Sequence, residues 1–240
     1  MVNSVTTKLA ELNLEDRFLF DETMENKEAY QAAVSMDLQK TVYHTEMQKK
    51  DTGNLKKRSR YYQAQMDVSL LEPGSVDFNL LNDSCFILIA PFDLFGRGLY
   101  RYTFEGVCRE CPDLRLEDGA VKIFINTQGT NKEEFSQEFL DFMEYITAST
   151  DAVAKRSASR RIKLIHEHVR KIKASEKMGV KYMQLWEEKA LIREEGRSEG
   201  RAEMLVKSVE AMKNFGIDLE KACEGIGTTV EEYHRAKEGR

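Results

Sequence analysis

One apolar run decides the fold: Ser84-Cys85-Phe86-Ile87-Leu88-Ile89-Ala90, which Pro91 closes. A continuous run of this length is typical of a strand that is buried on both faces in the middle of a sheet. Three further strands are predicted around it. Residues 42–48 precede the run, and residues 100–104 and 121–126 follow it. We therefore expect a sheet with this run at its centre.

Helices are predicted before, between and after these strands. Residues 14–30 and 55–71 show helical periodicity, and Pro73-Gly74 stops the second of these helices. Beyond Phe135 the chain is predicted to be helical almost throughout. The order of elements indicates an α/β (α+β) fold, in which a mixed sheet is flanked by helices and followed by a helical C-terminal extension.

Composition limits the class of protein. The 240 residues are 41% hydrophobic and 32% charged, which suits one domain of ordinary size with a charged extension. The net charge of -5 argues against a protein that coats nucleic acid non-specifically, although a local basic face can still bind phosphate. The N-terminus has no apolar leader, and no run approaches the roughly 18 apolar residues of a membrane span. We expect a cytoplasmic protein without a membrane partner.

The chain divides into three segments. Residues 1–150 hold the predicted strands and form the main domain. Residues 151–201 are predicted to be a helical linker, which is basic at first and then repeats glutamate, glycine and arginine with a four-residue period. Residues 202–240 are predicted to form a small helical module, in which Thr228-x-x-Glu231 is a capping box. Because this module is not basic, we expect it to join copies of the chain into a homo-oligomer rather than to read DNA.

The predicted strand at 42–48 has a polar row on one face, which includes His44, Glu46 and Gln48. In a strand, residues two apart project side by side, so the carboxylate of Glu46 and the amide of Gln48 can face one metal-bound water. An acid and an amide on one strand face are more often a solvated edge than an active site. The spacing alone leaves both interpretations open.

The helix after this strand opens with a cluster of basic and aromatic side chains: Lys56, Lys57, Arg58, Arg60 and Tyr61. These side chains can contact backbone phosphates near a cleft. They can equally form a basic, solvated first turn whose tyrosines pack on the sheet. Phosphate contacts position a duplex without reading its sequence, so any binding is expected to be salt-sensitive and weakly selective.

Longer motifs resemble those of one nuclease family. In chain order they are Phe20–Met24, Thr41–Gln48, Asn54–Gln63, Phe92–Phe104, the strand and turn at 121–129, and the glutamate-glycine-arginine linker. In this order they resemble the transposase and recombination-promoting branch of the bacterial PD-(D/E)XK nucleases. The resemblance covers most of the chain.

This resemblance implies a restriction-endonuclease-like core of helix, three-stranded meander, helix and strand. It also implies an enzyme of DNA recombination that binds Mg²⁺ and hydrolyses DNA phosphodiesters, in which paired carboxylates hold the cation and the cation activates water. Glu46 matches the acid of the family's strand motif, and Gln48 matches a position where the family commonly has glutamine. The DNA-binding residues implied are Lys56, Lys57, Arg58, Arg60 and Tyr61.

The chain departs from the family pattern at the first metal-binding aspartate. Counting back from Glu46 through an ungapped hairpin lands on Ala32, and the segment that should hold the first core strand is missing near residues 33–36. Asp37 is the nearest substitute, and this alignment places it at the tip of the hairpin. Because Mg²⁺ demands near-octahedral oxygen coordination, one carboxylate with an amide holds it poorly.

Three hypotheses follow. The first is a Mg²⁺-dependent DNA endonuclease with Glu46, Gln48 and Asp37 as catalytic residues, of which Glu46 and Asp37 bind the metal. The second is a degenerate member that keeps the scaffold and binds DNA without cleaving it. The third is an interaction protein that oligomerises through its C-terminal helices.

Overall fold

The computed structural model of the protein describes residues 8–34, 41–71, 74 and 76–238. The strands are β1 (Thr41–Met47), β2 (Asp83–Ala90), β3 (Arg101–Phe104) and β4 (Ala120–Asn126). The helices are α1 (Arg17–Met24), α2 (Lys27–Val34), α3 (Leu55–Leu70), α4 (Gln137–Thr147), α5 (Asp151–Arg156), α6 (Arg160–Ala174), α7 (Glu176–Asn214), α8 (Leu219–Gly225) and α9 (Val230–Glu238). Short 3-10 helices lie at Phe78–Leu80 and Lys132–Glu134.

The four strands form one mixed sheet in the order β1-β2-β4-β3. β1, β2 and β4 are parallel, and β3 is antiparallel to β4. β2 therefore has a partner on each side, and its residues 84–90 are all buried. The predicted central strand, the mixed sheet, the flanking helices and the helical C-terminal region are all confirmed.

The two faces of the sheet belong to two hydrophobic clusters, because alternate residues of a strand project to opposite sides. Cys85, Ile87 and Ile89 belong to the larger cluster, together with buried side chains of α1, α4 and α6. Phe86 and Leu88 belong to the smaller cluster, together with buried side chains of α3. Helix α3 connects β1 to the parallel strand β2 and so covers the second face.

The register of β1 places its polar row beneath α3. Glu46 is paired with Leu88 in the neighbouring strand, and His44 is paired with Phe86. Paired residues of adjacent strands project to the same face of a sheet. The predicted polar row therefore lies on the face of the sheet that α3 covers and does not face solvent.

The described residues contain one strand, β1, before α3, whereas the family resemblance implies a meander of three. Ala32 and Ala33 lie in α2, as the last part of a helix. Asp37 and residues 35–36 lie outside the described residues. The predicted catalytic and metal-binding role of Asp37 therefore stays a prediction.

The N-terminal helix predicted at 14–30 is two helices, α1 and α2. The side chain of Asn26 lies between them and accepts a hydrogen bond from the backbone N–H of Ala29 at 2.9 Å. Such a contact satisfies a backbone N–H in the first turn of a new helix. A single continuous helix was therefore the wrong prediction at this point.

The first part of the predicted linker contributes to the main core. Ile162, Ile165 and Val169 of α6 are buried in the larger cluster, and the compact N-terminal unit extends to Gly179. Their spacing places these apolar residues on one face of α6. The basic residues of α6 occupy the remaining faces, so the segment is a core helix with a charged exterior.

The C-terminal unit, Val180–Arg240, has its own small core. Val206 and Val209 of α7 are buried there with residues of α8 and α9, among them Tyr233.

The capping box at α9 begins one residue later than predicted. Thr229 Oγ1 accepts from the N–H of Glu232 at 3.1 Å, and Glu232 Oε2 accepts from the N–H of Thr229 at 3.2 Å. The helix begins at Val230, so Thr229 and not Thr228 is its cap.

A membrane-spanning helix would have to be long and apolar, and none of the helices in the described ranges meets both conditions.

Candidate functional site

Glu46 is buried near the end of β1 with only 4% of its surface exposed. Arg58, in the first turn of α3, donates a hydrogen bond from Nη2 to Glu46 Oε1 and forms an ion pair with it. Arg17 Nη1, from the start of α1, lies 3.9 Å from the same oxygen. Buried charges in proteins are normally paired, and here the partner of the carboxylate is a guanidinium.

Arg58 links this carboxylate to two more polar side chains. Its Nη1 donates to Gln48 Oε1 at 3.3 Å, and its Nη2 donates to Tyr62 Oη at 3.2 Å. Burial lowers the pKa of Arg58, but the hydrogen bond to Tyr62 and the charge of Glu46 outweigh burial, so the pKa is raised. The guanidinium is therefore a permanent positive charge between Glu46 and Gln48.

His44 lies on the same face of β1 and adds no further positive charge. Its ring stacks on Tyr62, with the centroids 4.8 Å apart, and on Phe86 at 5.6 Å. Burial lowers the pKa of His44, which favours the neutral imidazole at pH 7. The charges that meet Glu46 are therefore the two arginines.

The donor set at this point does not fit Mg²⁺. Mg²⁺ binds oxygen ligands in octahedral geometry, and two of the three side-chain oxygens of Glu46 and Gln48, namely Glu46 Oε1 and Gln48 Oε1, accept from Arg58. A cation at these oxygens would lie against a guanidinium of the same charge. Glu46 Oε2 is buried without a hydrogen-bond partner in the described residues, but it is a single ligand. In those residues, no three His, Cys, Asp or Glu side chains are grouped to hold a metal.

The predicted DNA-binding residues separate into two sets. Lys56, Lys57, Arg60 and Tyr61 are exposed on α3, whereas Arg58 turns inward to Glu46. Within the described ranges, no carboxylate pairs with Lys57 or Arg60, and Lys56 Nζ lies 4.9 Å from the ring centroid of Phe95. Three positive charges and one aromatic ring are thus available to a ligand.

Gln63 lies on the same helix, α3, but it is not part of this site. Its Nε2 donates to the backbone oxygen of Ser84 at 3.2 Å and to the hydroxyl of the same residue. Ser84 lies at the start of β2, whereas Glu46 is paired with Leu88. Gln63 therefore fastens α3 to the sheet.

Asp93 organises the loop beside Lys56, a role that no motif of the sequence predicted. Asp93 Oδ1 accepts from Tyr102 Oη at 2.7 Å and from the N–H of Phe95 at 3.0 Å, while Oδ2 accepts from the N–H of Gly98 at 2.6 Å. Burial raises the pKa of Asp93, but these hydrogen bonds outweigh burial and lower the pKa to about 2. The spacing of Asp93 ahead of Gly96 and Gly98, both at positive φ, was the available signal.

Replacing Asp93 by asparagine is expected to destabilise the fold by about 1–3 kcal/mol. The NH₂ group of the asparagine would face a backbone N–H that donates to a carboxylate oxygen in the wild type, so one hydrogen bond would be lost. Because the folded-state pKa lies below the ordinary value of 3.8, the stabilisation is present above about pH 4 and is lost as the pH falls toward 2. Urea unfolding across this range should show the difference between wild type and variant shrinking with acid. The exposed Asp113→Asn serves as control, and an equal effect of both changes would contradict this role of Asp93.

Comparisons of the chain with protein-family models, with curated proteins and with solved structures gave no match. The resemblance to PD-(D/E)XK nucleases therefore rests on the motifs quoted above, and membership of that family stays a prediction. The geometry itself offers a buried carboxylate neutralised by Arg58 and, on the same helix, a solvent-facing basic surface.

Proposed function

We propose that this protein binds the DNA backbone on a nuclease-type scaffold and does not cleave it. The observation that carries this proposal is the ion pair between Glu46 and Arg58. In the endonuclease hypothesis Glu46 of β1 binds a metal ion. Here the same carboxylate serves as the counter-charge of an arginine.

The buried pair makes metal-assisted hydrolysis unfavourable for an energetic reason. To bind Mg²⁺ through Glu46, the protein would have to withdraw Arg58 from both Glu46 and Gln48. Separating a buried carboxylate from its partner costs several kcal/mol. The cation would recover part of this cost only with further acidic ligands, because it normally recruits at least one or two carboxylates together with substrate phosphate.

The exposed turn of α3 supports the binding half of the proposal. Lys56, Lys57 and Arg60 lie at the N-terminal end of the helix, where the helix dipole also favours an anion. Tyr61 beside them offers a ring and a hydroxyl group. Such a surface contacts phosphates and not base edges, so the proposed partner is DNA of any sequence.

Cleavage is tested by incubating supercoiled plasmid with Mg²⁺ or Mn²⁺ and following the nicked form on a gel. We expect wild type and Glu46→Ala to behave alike, with no nicking above the buffer control. Nicking by wild type that Glu46→Ala abolishes would overturn the proposal and support the endonuclease hypothesis with Glu46 as a metal ligand.

Binding is tested with the triple variant Lys56→Ala, Lys57→Ala and Arg60→Ala. We expect weaker binding to duplex DNA and a slope of log K against log salt that is less negative by up to about 2.7, because each phosphate contact contributes about 0.9. Fluorescence anisotropy over a salt series measures both quantities.

A matched control removes three exposed positive charges elsewhere in the N-terminal unit, at Lys27, Arg109 and Lys132. It changes the net charge equally, so it separates a local surface from a general charge effect. Equal loss of binding in both triple variants, or no DNA binding by wild type, would overturn the proposed interface.

A further inference from the structure

One face of α7 carries a row of four residues spaced four apart: Ile192, Gly196, Gly200 and Met204. Because each residue of an α-helix advances by about 100°, this spacing gives a single row that winds slowly around the helix. Ile192 is 60% exposed and Met204 is 65% exposed. Beyond the helix's own backbone, no described atom lies within 4 Å of a Cβ placed on either glycine. The 192–204 row is thus uncovered.

The core of the C-terminal unit uses the other side of α7. Val206 and Val209 are buried against α8 and α9. On a helical projection Val206 lies about 120° and Val209 about 180° away from Gly200. Packing in this core therefore does not explain why the residues of the 192–204 row are apolar or small.

Charges of opposite sign border the row. The sequence repeats as Glu195-Gly196-Arg197 and Glu199-Gly200-Arg201. In a helix the residues before and after a given position project about 100° to either side of it. Glutamates therefore line one border of the row, and arginines line the other. Arg201 also pairs within the chain with Glu194 at 2.9 Å, beside the arginine border.

We propose that the 192–204 row is the contact between two copies of α7 that lie parallel to each other. In a parallel pair related by a two-fold axis, the left border of one helix faces the right border of its partner, as the e and g positions of parallel coiled coils do. The arginine border of each copy then faces the glutamate border of the other. The occupant of this face is a second copy of the chain.

An antiparallel pair is disfavoured by the same charges. In that arrangement each border faces its own counterpart, so arginines would meet arginines and glutamates would meet glutamates. Like charges placed opposite each other are destabilising. The segregation of charge thus selects the orientation as well as the partner.

The glycines have a defined place in this contact. Glycine is among the poorest helix formers, yet the 39 residues of α7 include three, and two of these lie in the row. Without side chains at Gly196 and Gly200 the two backbones can approach closely. Rows spaced four residues apart pack into each other with the helices crossing at about −50°, with Ile192 and Met204 on either side of the crossing. A flexible linker would need the glycines but not the sorted borders.

The experiment reverses one border at a time in the full-length chain. The acidic variant carries Arg193→Glu and Arg197→Glu, and the basic variant carries Glu195→Arg and Glu199→Arg. By sedimentation velocity, wild type is expected at twice the 27.7 kDa mass of the chain. Each variant alone is expected to dimerise at least about tenfold more weakly, and an equimolar mixture is expected to restore the dimer.

The mixture also shows that the variants fold, because only folded helices can restore the complex. A second variant, Gly196→Leu with Gly200→Leu, is expected to keep its helical circular dichroism and to lose dimerisation. Wild type that stays monomeric up to about 100 µM, an acidic variant that dimerises as well as wild type, or a leucine variant that still dimerises would each overturn the proposal.

Discussion

Replacing Arg58 by methionine is expected to lower the free energy of unfolding by about 3 kcal/mol or more, because the change leaves Glu46 buried without its close partner. Arg17 remains at 3.9 Å from the carboxylate, but it lies on the surface and is itself shared with Asp21. Urea unfolding at neutral pH measures the loss.

Two further variants decide what this result means. Arg60→Met changes an exposed arginine two residues away on the same helix and is expected to alter stability by less than about 0.5 kcal/mol. The double variant Arg58→Met with Glu46→Met removes both charges and is expected to recover most of the loss, because apolar replacements of buried pairs are often neutral. If Arg58→Met were no worse than Arg60→Met, the pair would not stabilise the fold.

Phe86→Ala is expected to cost about 3–5 kcal/mol, the range for removing a large aromatic side chain from a core. Phe86 is completely buried on the central strand. Its ring lies between His44, Tyr62 and Phe124, at centroid distances of 5.6, 6.0 and 6.2 Å. The substitution would therefore open a cavity between the sheet and α3.

The matched control is Phe78→Ala, since Phe78 is 69% exposed. Its effect is expected to stay within about 0.5 kcal/mol. Thermal unfolding followed by circular dichroism compares the two variants at equal concentration. A similar loss of stability in both variants would show that burial of the Phe86 ring in this cluster contributes little to the stability of the fold.

Local patterns predicted the sheet well. The apolar run at 84–90 marked the central strand, because its short length and the proline that closes it favour a doubly buried strand over a buried helix. Two-residue alternation at 42–48 placed Glu46 and His44 on one face, which the register confirms. The break between α1 and α2 escaped prediction because apolar periodicity continues across it, and a side chain cap at Asn26 decides the boundary.

The site depended on contacts that sequence spacing does not encode. Lys56, Lys57 and Arg58 are adjacent basic residues, and Arg58 turns inward because α3 packs on β1 where Glu46 and Gln48 lie. The network of Asp93 likewise joins residues of a loop and of β3. The basic residues of α6 suggested a solvated linker, but the apolar residues between them are buried in the main core.

The strand order also has a consequence during synthesis on the ribosome. β2 pairs with β1 behind it and with β4 ahead of it, so its apolar residues stay without one neighbour until residue 126 has left the exit tunnel. At typical rates of translation that delay lasts roughly a few seconds. Parallel pairings between distant segments also form slowly. The nascent chain is therefore expected to need chaperone protection of Ser84–Ala90 in this interval.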